Sequence, residues 1–402
     1  MRLPSNQRHA RAQIFLLFAL SLPVLIAFLG LGVDLGFAFV TRANLSKAVD
    51  AAALAAMRNI SQGQAQATAI AQSAFNTNYG SGIGRDLSPP VLNVAITADA
   101  NNNTVINVSA TTSINTLFLR VLSGLKTLKI TSNAQATRPK LIMSLVLDRS
   151  GSMNNNGGAQ ALPPAVENFL TYFDNNNDLI ADVSFSSVSS VDVKMGTNFL
   201  NPITKAVNKM AFGGATYSQG GLLDGQSQIN GVAVAAGANV VKVAVFFTDG
   251  WANTVQNTLN CPPSTLLNFG GCAPPEAAVG WCSGISFMDP TNGNTRSCGA
   301  TSFPSQMTGG SVSLTQTNIA NDAMYRAVQV ANSMRAQGIA IYSIGLGDKI
   351  SQAFLQQVAN DPASSTFDPN QPVGQAVFAA TAADLQGVFQ TIASEILLRL
   401  SQ

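Results

Sequence analysis

Apolar and polar positions follow different rhythms in different parts of this chain, and each rhythm predicts a different element. Ile14 to Val33 is twenty residues without a charge, about the length a helix needs to cross a bilayer core. From Asp34 to about Phe75 the apolar positions fall at helical steps. Leu45, Val49, Ala52 and Ala56 form one stripe in a run dominated by Ala48, Ala51, Ala52, Ala53, Ala55 and Ala56, and alanine is the best helix former. This predicts a single Ala-rich helix over 34–79. Its stripe either packs on its own domain or serves as a stalk that packs on a partner. Gly80, Gly82, Gly84, Pro89 and Pro90 then interrupt any regular element.

Alternation with a period of two follows. Val91 to Thr97 and Thr104 to Thr111 flank an Asn-rich turn at Asn101 to Asn103 and read as a hairpin. Ile114 to Leu122 reads as a short helix and Leu128 to Ala136 as a third strand, which makes 88–139 a small α+β module. After Pro139 apolar strands alternate with amphipathic helices, the signature of a mostly parallel sheet covered on both faces. The predicted strands are Leu141–Leu147, Ile180–Phe185, Val191–Met195, Lys242–Phe247, Ala340–Ile344 and Ala376–Ala380. The predicted helices are Ala161–Phe173, Gln219–Ile229, Ile319–Gln337, Gln352–Asn360 and Ala383–Leu400. The expected fold class is therefore α/β and doubly wound over 140–402, with a Gly- and Pro-rich insertion at 251–317.

Charge orients the apolar stretch. Arg2, Arg8 and Arg11 precede it, so the positive-inside rule puts 1–12 in the cytoplasm, a transmembrane helix at 13–33 and the remainder outside. Pro23 is tolerated in such a helix. A cleaved signal peptide is the competing reading. The stretch is long for one and lacks a small-x-small site at its end, so an uncleaved single-pass anchor, with residues 14–33 in lipid, is expected.

Composition mainly excludes. Charged residues are 10% of the chain and the net charge is +2, with no basic run to track a phosphate backbone, so nucleic acid is not an expected partner. His9 is the sole histidine, and Glu167, Glu276 and Glu395 are the sole glutamates. A His general base and a His-rich zinc site are thereby excluded from the C-terminal region, and no enzymatic activity is expected. Cys261, Cys272, Cys282 and Cys298 all fall in the insertion, with no Cys-x-x-Cys pair. An even number in a loop-rich segment fits two disulfides in an oxidising compartment, with the pairing open.

The candidate chemistry lies where apolar strands stop at oxygen. Leu141–Leu147 ends in Asp148, with Ser150 and Ser152 at alternate positions beyond it. Val243–Thr248 ends in Asp249 and Gly250, and between these segments Gly213–Gly214–Ala215 presents Thr216 ahead of a helix. In open parallel sheets such loops converge beyond the strands' C-terminal ends. Oxygen-only side chains gathered there suit a hard cation, Mg²⁺ first, with Mn²⁺ and Ca²⁺ as alternatives.

Asp148-x-Ser150-x-Ser152, Thr216 and the Thr248-Asp249-Gly250 turn together resemble the metal-ion-dependent adhesion site (MIDAS) of von Willebrand factor A domains. The resemblance covers residues 140–402. It implies that the two serines and the threonine bind the metal directly, and that the aspartates do so directly or through water. An acidic group from a protein partner would complete the shell. Ala215 and the long insertion after Gly250 depart from the family pattern. Val33-Asp34-Leu35-Gly36, Arg42, Leu45 and the Ala-rich run at 48–56 are similar to the N-terminal segment of TadE/TadG-like proteins of the tight-adherence (Flp) pilus assembly system. The strand module ending in Ala134-Gln-Ala-Thr-Arg-Pro139 fits the same family.

These resemblances imply an envelope-facing protein of the bacterial inner membrane that aids pilus assembly or surface adhesion and works with other pilus-assembly or envelope proteins. The alternative is a purely structural assembly component whose A domain binds nothing.

Overall fold

The computed structural model describes residues 6–80, 89–100, 103–122, 125–259, 276–282, 286–288, 295–297 and 302–400. The chain divides into two compact units, one of residues 1–99 and 104–138, the other of 100–103 and 139–402.

In the first unit α1 (Asn6–Arg58) is long and apolar enough, by length and composition, to cross a membrane. The Ala-rich region is not the single helix expected over 34–79. It breaks at Asn59–Gly63, where the Asn59 side chain donates back to the Ala55 carbonyl (2.8 Å) and Gly63 takes φ +94°. A left-handed residue there favours glycine, and α2 (Gln64–Tyr79) runs on as a separate helix. Asn59 and Gly63 are themselves boundary residues, but the Ala-rich runs on either side outweighed them in the reading of one continuous helix.

β1 (Val91–Ala98), β2 (Thr104–Asn115) and β3 (Thr127–Arg138) form an antiparallel sheet in the order β1-β2-β3. Alternate residues of β2, among them Ile106, Val108, Ala110 and Ile114, face inward. They share one apolar cluster with Leu45, Val49, Ala52 and Ala56 of α1 and with Ala67, Ala71 and Phe75 of α2. The helical stripe therefore packs inside its own unit. The short helix expected at Ile114–Leu122 is reduced to α3 (Leu119–Leu122), because Ile114 and Asn115 still pair with Leu128 and Thr127. Asp34, 1% exposed on α1, secures this tip by accepting the backbone N–H groups of Leu117 (2.9 Å), Phe118 (2.8 Å) and Leu119 (2.8 Å).

In the second unit β4 (Lys140–Asp148), α4 (Gly158–Leu170), β5 (Leu179–Phe185), β6 (Ser189–Gly196), α5 (Leu200–Asn208), α6 (Ser218–Asn230) and β7 (Val240–Thr248) come first. Next come the insertion strands β8 (Val255–Leu259), β9 (Glu276–Cys282), β10 (Ser286–Met288), β11 (Thr295–Ser297), β12 (Ser302–Pro304) and β13 (Ser311–Ser313). α7 (Gln316–Ala336), β14 (Ala340–Leu346), α8 (Gln352–Ala359), β15 (Gln375–Ala379) and α9 (Leu385–Arg399) complete it. The main sheet has the order β15-β14-β7-β4-β5-β6, parallel except for the edge strand β6. Helices α4, α5 and α9 cover one face and α6, α7 and α8 the other. The fold class is α/β and doubly wound. Buried on both faces, β4 reads as a continuous apolar run in which Leu141, Met143, Leu145 and Leu147 face one cluster and Ile142 and Val146 the other.

Most elements of the second unit lie within three residues of the expected bounds, but α5 was not expected. It is short, contains Pro202 and keeps only Ile203 and Val207 fully inward. The insertion is itself strand-rich. Its four Cys and Trp281, with the expected disulfides, lie outside the described side chains. Its root at Ala252 and Val255 packs with Phe303, Leu314, Ile319 and Ala323 in a small separate core.

Candidate functional site

After β4 the chain fills β5 and β6 on one side, then returns to β7 on the other. The crevice at the C-terminal ends of β4 and β7 is therefore a topological switch point, where open α/β sheets place ligands. Asp148 is the last residue of β4 and Asp249 the first after β7.

Four of the five expected side chains join in one hydrogen-bonded chain. The Ser150 N–H donates to Asp148 Oδ1 (2.7 Å), and the Ser150 and Ser152 hydroxyls lie 3.0 Å apart. The Ser152 hydroxyl donates to Asp249 Oδ1 (2.6 Å), across 97 positions of sequence. The loop that carries the fifth, Thr216, is held against the loop after Asp148. Gly151 N–H donates to the Gly214 carbonyl (3.0 Å), and Gly213 N–H to the Arg149 carbonyl (2.9 Å). Gly214 has φ +83°, and a Cβ there would stand 2.6 Å from the Ser187 hydroxyl, so this turn requires glycine. Thr216 N–H donates to Asn253 Oδ1 (2.8 Å), and Asn253 N–H returns to the Thr216 carbonyl (3.1 Å). Ala215, the departure from the family pattern, is buried, and its N–H is satisfied by the Ser187 hydroxyl (2.8 Å).

Asn156 and Asn253 carried no signal of their own, and Thr248 was visible only as a member of the Thr248-Asp249-Gly250 turn, with no role assigned to it. Thr248 donates its hydroxyl to Asp148 Oδ2 (2.5 Å), Asn156 donates to Asp249 Oδ2 (2.7 Å), and Asn253 braces Thr216. Asn156 stands in the low-complexity run Asn154-Asn-Asn-Gly-Gly158, where no single Asn is distinguished.

Electrostatically the site is unbalanced. Burial pushes the Asp148 carboxyl up to about 7 from its ordinary 3.8, and the charge of Asp249 pushes the same way. Hydrogen bonds from Thr248 and Ser150 oppose this without cancelling it. Burial also raises Asp249, against the hydrogen bonds from Ser152 and Asn156. Two buried carboxylates with three hydroxyls around them make a donor set of oxygen alone, with a deficit of positive charge. A divalent cation corrects both features. No cluster of three or more His, Cys, Asp or Glu occurs among the described residues. At the rim Trp251, 49% exposed, directly follows the Thr248-Asp249-Gly250 turn.

Residues 12–74 match the profile of the putative Flp pilus-assembly TadE/G-like family. No curated protein matches the chain. Among solved structures, the chain is similar to the von Willebrand factor domain of the type V pili tip protein Mfa5 from Porphyromonas gingivalis, at 16% identity and TM-score 0.44, covering 66% of this chain and 98% of that one. The minor pilin PilB from Streptococcus sanguinis matches at 14% identity and TM-score 0.43, covering 77% and 79%. The pilus adhesin SpaC from Lactobacillus rhamnosus GG matches at 17% identity and TM-score 0.43, covering 77% of this chain and 34% of that one, so the chain spans about a third of SpaC's length.

Proposed function

We propose that this chain is a membrane-anchored protein of Flp pilus assembly or surface attachment that captures a protein partner through a divalent cation. Asp148, Ser150, Ser152, Thr216 and Asp249 hold the cation, and an acidic group of the partner completes its shell. The continuous hydrogen bonding of Asp148, Ser150, Ser152 and Asp249 across the switch point carries this reading. Few carboxylates leave a bound cation electrophilic and open to an anion. Mg²⁺ is the favoured ion on donor chemistry. α1 is the anchor, with its N-terminus in the cytoplasm and the α/β unit outside, and no enzymatic step is assigned.

The test is titration of the chelated full-length protein with Mg²⁺, followed by its melting temperature. At about one hundred times its Kd the ion adds roughly 2.7 kcal/mol of stability. Crosslinking of envelope partners in the parent membrane is expected to fall in EDTA and return with Mg²⁺. A melting temperature indifferent to Mg²⁺, Mn²⁺ and Ca²⁺ would eliminate the cation. Crosslinks that persist in EDTA would leave the structural alternative.

Trp251 is placed to meet the partner rather than the ion. Trp251→Ala is expected to weaken partner capture by about 2 kcal/mol or more, the scale of an aromatic hot spot, and to leave the Mg²⁺-induced melting shift unchanged. A lost melting shift would show instead that Trp251 supports the metal loops.

A further inference from the structure

The sequence places the end of the membrane stretch at Val33, because Asp34 is the first charge after it. The fold removes that boundary. The Asp34 carboxylate is buried and accepts three backbone N–H groups at the β2–β3 tip. A carboxylate so held keeps its charge, but turns it toward the three amides and away from the outer surface of the helix. Beyond it the outer surface of α1 remains apolar. Leu35 (53% exposed), Phe39 (74%) and Val40 (45%) continue the band of Phe28 and Leu29, and the next exposed charge is Arg42. From Phe15 to Val40 the helix presents about 38 Å of uncharged surface at about 1.5 Å per residue, against a hydrocarbon core of about 30 Å.

The tip is fixed at a definite height on this helix. A Cβ on Gly30 would stand 2.3 Å from the Phe118 ring, so Phe118 seats directly on bare helix backbone at Gly30. However a 30 Å core is slid along the apolar surface, it includes the level of Gly30. Beside Phe118, Leu117 is 45% exposed and Leu125 52% exposed. Arg120, Lys126 and Lys129 are exposed around them. Several of the tip's backbone polar groups are satisfied internally, as lipid requires. Asp34 takes the N–H groups of residues 117–119, and Thr116 closes the base by donating its N–H to the Lys126 carbonyl (3.1 Å) and its hydroxyl to the Leu125 carbonyl (2.5 Å).

We propose that the β2–β3 tip is a second membrane-contacting element, seated in the same bilayer as α1, with Leu117 and Leu125 among acyl chains and Arg120, Lys126 and Lys129 at anionic phospholipid headgroups. The membrane boundary on α1 then lies past Asp34, near Leu35 and about 8 Å above Gly30, with Phe39 and Val40 in the headgroup layer. This rests on the anchoring of α1, and the two ideas are separable. The full-length chain, with Trp251→Phe and Trp281→Phe to remove its native tryptophans, is reconstituted at one copy per nanodisc. The lipid is phosphatidylcholine and phosphatidylglycerol with brominated acyl chains. Single tryptophans are introduced as Phe28→Trp in the anchor, Leu117→Trp or Leu125→Trp in the tip, and Leu54→Trp on α1 beyond Arg42. Quenching of both tip probes to the extent of Phe28→Trp, with Leu54→Trp unquenched, is the expected result. Tip probes that behave like Leu54→Trp while Phe28→Trp is quenched overturn the proposal and leave the anchor standing. An unquenched Phe28→Trp overturns both.

Discussion

Asp148→Ala is expected to reduce divalent cation affinity by at least about 100-fold, more than is lost when only a supporting partner of a metal ligand is removed. Isothermal titration with Mg²⁺ or Mn²⁺ measures this directly. Asp148→Asn separates charge from shape. With chelator present, the folded protein holds a proton on Asp148 up to about pH 7, whereas the unfolded chain loses it near the ordinary 3.8. The stability contributed by that proton is fully present below the unfolded value. It declines as pH rises and is gone above about 7, a loss of a few kcal/mol. The chelated wild-type protein should therefore melt at a lower temperature at pH 8 than at pH 5, Mg²⁺ should restore stability at pH 8, and Asp148→Asn should reduce the slope, leaving the part carried by Asp182 and Asp249, whose carboxyls burial also raises. A chelated wild-type protein that gains stability from pH 5 to pH 8 would contradict the electrostatic account of the site.

The second large effect lies at the root of the insertion. Arg326 is 4% exposed and Asp322 1% exposed, with Arg326 Nε donating to Asp322 Oδ2 at 2.7 Å. The same guanidinium donates to the Gln256 carbonyl (3.1 Å) and the Pro304 carbonyl (3.2 Å), while Asp322 also accepts from the Ser305 hydroxyl and the Met307 N–H, both at 2.8 Å. One buried fork thus ties α7 to β8 and β12. Arg326→Ala should cost about 3–5 kcal/mol, because it leaves a buried carboxylate without its cation. Arg326→Lys should recover little, since an ammonium cannot reproduce three divergent N–H directions. Chemical denaturation measures both, and a cost below about 1 kcal/mol for the alanine variant would show that the root is held by its apolar core alone.

The legible parts of this chain are those written in local pattern. Apolar runs that stop at Asp148 and Asp249 marked two adjacent strands and the crevice above them, because a strand buried on both faces must read as continuous apolar sequence. The oxygen side chains were visible because their spacing within one turn is itself local. What escaped depends on tertiary partners. Asn156 matters only because another loop brings Asp249 within 2.7 Å of it, and the role of Thr248 within its turn only because Asp148 stands 2.5 Å away. Arg326 sits on an ordinary helical face until β12 folds over it. The break at Asn59–Gly63 was marked locally by Asn59 and Gly63 but outweighed by the helical runs that flank it, and Ile114 followed its cross-strand partner Leu128 against local helical appearance.

The break at Gly63 has a consequence for how this chain relates to copies of itself. By folding back, α2 joins β2 and β3 in covering Leu45, Val49, Ala52 and Ala56, the apolar stripe of α1. An identical helix therefore cannot reach that stripe while the α1–α2 hairpin and the sheet stay packed on it. Lateral recruitment that leaves the hairpin shut must instead use the outward side of α1, where Leu54 stands 49% exposed.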